Sequence, residues 1–254
     1  MYPILARYGP FFLNSYTVVM AIGIVAGLAL ALYLARKDGI ESDDWITGLL
    51  IAAAVGLVAG RIVFVLANVP YYGENPDEIL LIGKGGLNYH GVLIAGLLFL
   101  GIWIHQRGQS VGSIALLLAP SLALISAFGW FACWLDGCAF GWEAPAGLLV
   151  ANLPDSFGVF ALRYSTQVLA LVICLLIFGL TLLFRRSRFL WMSTLLLLSA
   201  SRLIISLLRG DSAPMIGALR LDTLAEGLIV ALCLITIAVV VLRKSADGSR
   251  QQTN

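Results

Sequence analysis

The sequence predicts an all-α integral membrane protein, a bundle of seven transmembrane helices with its N-terminus outside and its C-terminus in the cytoplasm. Three observations carry this expectation. The chain is 60% apolar and 12% charged, with a mean hydropathy of +0.96, far more apolar than a water-soluble core requires. Seven apolar runs, most of them near the roughly 20 residues that cross a bilayer, occupy most of its length. The cationic residues gather on alternate connections between those runs.

In chain order the runs are 16–35, 45–67, 91–105, 112–135, 165–184, 190–208 and 221–242, each apolar with too few interruptions for an exposed helix. The first residues include Arg7 but lack the basic segment, short apolar run and small-residue site of a cleavable signal, so the first run is expected to be retained. Gly23 and Gly27 in the first run, and Gly56 and Gly60 in the second, have the GxxxG spacing that lets helix backbones approach closely. The third run is short and is expected to be entered through a re-entrant turn around Gly85–His90. The polar stretch Ala246–Asn254 reads as a disordered cytoplasmic tail, leaving 1–245 as a single seven-span membrane domain.

Orientation follows from the cations. One set of connections, with the C-terminus, holds nine: Arg36, Lys37, Arg107, Arg185, Arg186, Arg188, Arg243, Lys244 and Arg250. The opposite set holds five: Arg7, Lys84, Arg163, Arg209 and Arg220. The richer side is assigned to the cytoplasm.

On that map every span carries a polar group at its outer end. These are Tyr16, Arg61, Asn88 with His90, the 129–136 stretch, Arg163 with Gln167, Arg202 with Arg209, and Asp222 with Glu226. The pattern implies one outward-facing polar cavity in the outer leaflet. Arg61 and Arg202 fall inside spans, where a cation needs an anionic partner. A phospholipid phosphate would match a guanidinium bidentately; Glu226 could instead hold one of them as an ion pair.

The stretch Gly85-Gly-Leu-Asn-Tyr-His90-Gly91 sits at the mouth of the third span. Its glycines permit close backbone approach, and His90 is the histidine of the polar set, suited to accept or donate a proton near neutral pH. The plainer alternative is a helix start with Asn88 as cap and Tyr89 at the interface. His105, beside Arg107, reads as interfacial. Cys174 and Cys233 lie in apolar runs and read as inert core residues. Cys133 and Cys138 would face an oxidising compartment, where a local disulfide can form; a buried inert pair is the other reading, and two thiols without histidine make a poor metal site. Nothing in the pattern calls for nucleic acid.

These residues resemble the prolipoprotein diacylglyceryl transferase family. Gly85–Gly91 followed by Leu93-Ile-Ala-Gly96 resembles its glycine–histidine motif, and Gly60-Arg61-Ile62 its Gly-Arg-Ile. Tyr16 falls where the family has a tyrosine at the start of the first span. Arg163-Tyr-Ser-Thr-Gln167 is similar to Arg-His-Pro-Ser-Gln, Ser201-Arg202 and Arg209-Gly-Asp211 to the arginine-rich sixth span, and Thr223-Leu-Ala-Glu226 to Thr-x-x-Gln. The resemblance runs over almost the whole chain. It implies transfer of diacylglyceryl from phosphatidylglycerol to the thiol of a lipobox cysteine in a secreted precursor, with glycerol phosphate leaving and no metal or nucleotide needed. It implies catalytic roles for His90 and Tyr16. Substrate-binding roles go to Arg61, Asn88, Arg163, Gln167, Arg202, Arg209, Glu226, Gly137 and Gly141.

The family signature loop is altered. In Gly129–Gly141 the glycines and Ala132 match, but Trp130 stands for an arginine, Cys133 and Asp136 for asparagines and Cys138 for a glutamate. Ser206 stands for an acidic residue, and Tyr164-Ser165 for His-Pro. A second reading is therefore a lipid-binding membrane paralogue with a degenerate active site. A small transporter is a third, disfavoured because no inverted repeat or broken pair of spans is seen.

Overall fold

The computed structural model describes residues 2–251 except Pro10, Ser42, 82–85 and Ser156, with the side chains of Tyr8, Phe11 and 243–251 also outside the description. Lys84 and Gly85, counted in the expectations above, therefore lie outside the described residues.

Seven helices are long and apolar enough to cross a membrane. They are α1 (Ser15–Asp38), α2 (Asp43–Ala67), α4 (Tyr89–Gln106), α5 (Val111–Asp136), α6 (Thr166–Leu183), α7 (Leu190–Leu208) and the Leu221–Leu242 part of α8 (Leu221–Gln251). Each corresponds to one expected run, with ends shifted by no more than three residues. Their outward faces are apolar; on α6 alone Val168, Val172, Leu175, Leu176 and Leu180 are exposed, a surface suited to hydrocarbon and not to water.

The structure adds short elements the composition did not announce. Strands β1 (Ile4–Tyr8) and β2 (Phe11–Asn14) form a hairpin before α1, and β3 (Val150–Pro154) pairs antiparallel with β4 (Phe160–Tyr164) before α6. A short helix α3 (Val69–Glu74) and a 3-10 turn (Pro76–Glu78) follow α2, and β5 (Met215–Ile216) and β6 (Leu219–Arg220) precede α8. The backbone of α8 is helical to Gln251, beyond the expected span end at Leu242.

The chain divides into two units. The first comprises Met1–Ala31, Leu116–Ala213 and Leu219–Asn254; the second comprises Leu32–Ala115 and Pro214–Ala218. In the first unit α5, α6 and α7 share a core of Ala123, Ala127, Trp130, Cys133, Ala170, Cys174, Leu198 and Ile205. α1 lies against α5 through the first GxxxG: a Cβ at Gly23 would stand 2.4 Å from Phe128 Cβ. In the second unit α2 lies on α4 through the other. A Cβ at Gly60 would stand 2.4 Å from Val92 Cγ2, and one at Gly91 3.0 Å from Gly60 Cα, so only glycine allows that backbone-to-backbone approach.

Within each unit, contacts between helix ends place the polar groups together. In the first, Tyr2 N–H donates to Leu135 O at 2.9 Å, joining the segment before β1 to the end of α5. Gly210 N–H donates to Phe140 O at 2.8 Å, joining the end of α7 to the loop after α5. In the second, Asn88 N–H donates to Gly60 O at 3.0 Å, joining the end of α2 to the start of α4.

Candidate active site

The second unit holds Arg61, Asn88 and His90. Arg61 lies in the penultimate turns of α2 and is 6% exposed. Its guanidinium donates from Nε to Ile79 O (2.8 Å), from Nη2 to Glu78 O (2.8 Å) and from Nη1 to Gly86 O (2.9 Å). The rings of Tyr72 and Phe64 flank it at 5.3 and 5.8 Å. The carbonyls of the 3-10 turn and of the glycine-rich segment thus hydrogen-bond this buried cation. Asn88 takes the plainer of its two readings. It caps α4, its Oδ1 accepting from Gly91 N–H at 2.9 Å. His90 lies in the first turn of α4, half-buried, edge-on to Tyr89 at 5.3 Å. Of the expected re-entrant turn, Gly85 is outside the described residues, and the helix starts at Tyr89.

The first unit holds the rest. Arg202, on the last turns of α7, places Nε 4.0 Å from Glu226 Oε1 on α8, and Glu226 is 3% exposed. Its guanidinium carbon stands 5.5 Å from the centre of the Trp130 ring, a cation–π contact. The Glu226 carboxylate therefore lies beside this arginine, and Trp130, where the family pattern has a second cation, is its apolar floor. Tyr16 lies in the first turn of α1 and is exposed.

Arg163 sits on β4, not at a helix start as the span boundary suggested, because the hairpin ends one residue before the Ser165 cap of α6. It pairs with Glu143 (3.1 Å) and Asp155 (3.3 Å) and lies over the Phe140 ring at 5.2 Å. Asp155 in turn accepts from the Val159 and Phe157 amides at 3.0 and 2.8 Å. The Val159 amide above all, and then Phe157 and the Arg163 charge, hold its carboxyl below the usual carboxylate range.

Arg209 is gripped by two carboxylates. Nη2 and Nε reach Asp211 at 2.5 and 2.8 Å, and Nη1 reaches Asp222 at 3.0 Å. Arg220 completes a four-membered network, bonding Asp222 Oδ1 (3.2 Å) and Asp211 O (2.7 Å). Arg220 and Asp211 were not singled out as site residues, although two arginines and two aspartates within 209–222, between apolar runs, were a readable signal. Gln167 is fully buried, and its Nε2 donates to Cys138 O at 2.7 Å. That bond ties the start of α6 to the loop after α5.

That loop begins where α5 ends. Gly137, at φ 85°, returns its amide to Cys133 O (2.9 Å), and the Cys138 amide reaches the same oxygen (3.1 Å), a helix-terminating turn that needs a left-handed residue. Cys133 and Cys138 are joined as a disulfide across it, which decides between the two readings of the pair; Cys174 and Cys233 are buried free thiols. Gly141 bridges to Arg209, and a Cβ there would stand 2.4 Å from Tyr164 O. Among the described residues no cluster of His, Cys, Asp and Glu could hold a metal ion.

These features define a class: a multi-pass membrane protein whose arginines and acids lie, within each unit, at helix ends held together by hydrogen bonds. The chain belongs to the prolipoprotein diacylglyceryl transferase family, whose model matches residues 3–243. It is similar to the phosphatidylglycerol–prolipoprotein diacylglyceryl transferases of Bacillus mycoides (strain KBAB4), 30% identical over 253 residues, and Bacillus cereus (strain B4264), 30% identical over 250. Those alignments cover 95% and 94% of this chain and 92% and 90% of the relatives. Against the protein of the same name from Limosilactobacillus reuteri (strain DSM 20016), 30% identity extends over 154 residues, and the match spans 60% of this chain and 56% of that relative's length.

Proposed function

We propose that the chain is a phosphatidylglycerol–prolipoprotein diacylglyceryl transferase of the bacterial cytoplasmic (inner) membrane. Its N-terminus is outside and its C-terminus cytoplasmic, 1–245 work as one membrane domain with 246–254 as a tail, and the reaction occurs at the outer leaflet. The observation that carries the reading is the extent of the family match, residues 3–243, which takes in every candidate site residue.

In the reaction the acceptor is the thiol of a lipobox cysteine. The thiol gives up its proton, and its sulfur bonds to the glyceryl carbon that carries the phosphate. The carbon–oxygen bond breaks, and glycerol phosphate leaves with the electron pair and takes up a proton. His90 serves as the proton-transfer group, and Tyr16 contributes its hydroxyl. Arg202, with Glu226 fixing its orientation, attends the phosphate. Asn88, Gly137, Gly141, Gln167, Arg163 and Arg209 hold the backbone around these groups. Arg61 secures the glycine-rich segment that leads to His90.

Complementation in cells depleted of their own transferase tests the reading. The wild-type chain should restore diacylglyceryl modification of a reporter lipoprotein precursor. His90→Ala should lower the rate by about 10² to 10⁴, the range of acid–base groups. Failure of the wild-type chain, with phosphatidylglycerol still retained on purification, would favour the lipid-binding paralogue. Near-normal turnover of His90→Ala would remove His90 from its role.

A further inference from the structure

We infer that the Cys133–Cys138 disulfide is a positioning device for Arg202, so that the protein selects an anionic lipid only when the bridge is oxidised. This rests on the function proposed above and adds a redox requirement to it. The sequence places the two cysteines five apart around Gly137, and the terminating turn brings their Cα atoms to 5.0 Å. Covalent closure there fixes a turn that would otherwise be held by two amides on one carbonyl.

What the turn supports explains why its rigidity matters. Ala139 follows at φ 53°, a left-handed conformation that a non-glycine residue keeps only when its surroundings impose it. Those surroundings are the bridge on one side and three hydrogen bonds on the other. Thr166 Oγ1 donates to Ala139 O (2.5 Å), Gln167 Nε2 to Cys138 O (2.7 Å) and Gly210 N–H to Phe140 O (2.8 Å). The loop therefore ties the starts and ends of α5, α6 and α7 together. Arg202 lies two turns before that α7 end, and Trp130, beneath its guanidinium, lies one turn before Cys133 on α5. Trp130, Cys133 and Ala139 share one buried cluster. Opening the bridge frees the last turn of α5 and the loop at once, and with them both the floor of Arg202 and the anchor of its helix.

The chemistry is two-electron exchange. A dithiol reductant such as dithiothreitol delivers two electrons and two protons to the bridge, giving two cysteine thiols and its own cyclic disulfide. Cys174 and Cys233 are already free and buried, so the bridge is the group that responds.

The test uses purified full-length protein in detergent, oxidised, reduced with dithiothreitol, and as the Cys133→Ser/Cys138→Ser double variant. Retention of phosphatidylglycerol against phosphatidylcholine is read by native mass spectrometry, diacylglyceryl transfer to a lipobox peptide by turnover, and helix content by circular dichroism. The expected result is unchanged helix content with loss of lipid preference and a fall in turnover of about 100-fold, the cost of a displacement on the order of 1 Å. Reoxidation should restore the wild type and not the double variant. Reduced wild type or double variant that keeps its lipid preference overturns the inference, as does oxidised protein with none to lose. An oxidised protein that prefers phosphatidylglycerol but transfers nothing would count against the proposed reaction, while its preference, lost or kept on reduction, still decides this inference.

Discussion

Arg61, buried, and Arg202, half-buried, show how differently one residue type can be used. Arg61 spends its fork on three carbonyls from Glu78, Ile79 and Gly86. A lysine ammonium is one point charge and cannot reach three acceptors spread along a turn. Arg61→Lys should therefore lower stability by about 2–4 kcal/mol, since hydrogen bonds to charged groups contribute about 1.5–3 kcal/mol each and the relaxed lysine recovers some of them. A thermal melt in detergent measures this, and lipid preference should not move. Arg202 faces the Glu226 carboxylate and the Trp130 ring. Arg202→Lys keeps the charge on Glu226 but loses the planar face on Trp130 and the bidentate fork. Its expected signature is the reverse: weaker retention of phosphatidylglycerol relative to phosphatidylcholine, with a small change in melting. A variant that only melts earlier would make the Arg202–Glu226 pair structural.

Elements divide by how local their cause is. The seven spans were legible because crossing hydrocarbon is a demand each segment meets alone, with a long apolar run. The glycine contacts were legible as spacing, and their partners were not. A Cβ at Gly60 meets Val92 and Asn88 O, at 2.4 and 3.0 Å, whereas one at Gly101, on the same pair of helices, meets nothing within 4 Å. Gly60→Ala should thus destabilise by about 1–3 kcal/mol by overpacking, and Gly101→Ala should be neutral or slightly stabilising in a thermal melt. The β3–β4 hairpin was not legible because its pairing depends on a turn built by Asp155, which receives the Val159 and Phe157 amides and the Arg163 charge. Of the two partners of Arg209, Asp211 lies two residues along the chain and was readable, whereas Asp222 reaches it only once α7 and α8 are adjacent. Because the folded pKa of Asp155 is lowered, its contribution is present above the ordinary carboxylate value of about 3.8 and is lost as pH falls below it, through the lowered value. Hydrogen exchange of the hairpin amides should accelerate in that acidic window in the wild type. Asp155→Asn should exchange fast at all pH values, and a flat wild-type profile would exclude Asp155 as the holder of the turn.

At the scale of the molecule, the orientation in the membrane rests on charge, and one helix tests it. α6 leads from the hairpin to the turn carrying Arg185, Arg186 and Arg188. Phe157 at one end is 90% exposed, and Ser187 at the other is also exposed. Moving three guanidiniums across hydrocarbon during insertion is far costlier than moving the hairpin, whose Asp155 and Arg163 form an ion pair. The native cysteines are bridged or buried, so a single introduced thiol reports cleanly. A membrane-impermeant maleimide applied to intact cells should label Phe157→Cys and leave Ser187→Cys untouched until the membrane is permeabilised. The opposite pattern would put the hairpin, Arg202 and the Cys133–Cys138 bridge in a reducing cytoplasm. A bridge that must be oxidised, and an acceptor thiol presented after export, both require the first pattern.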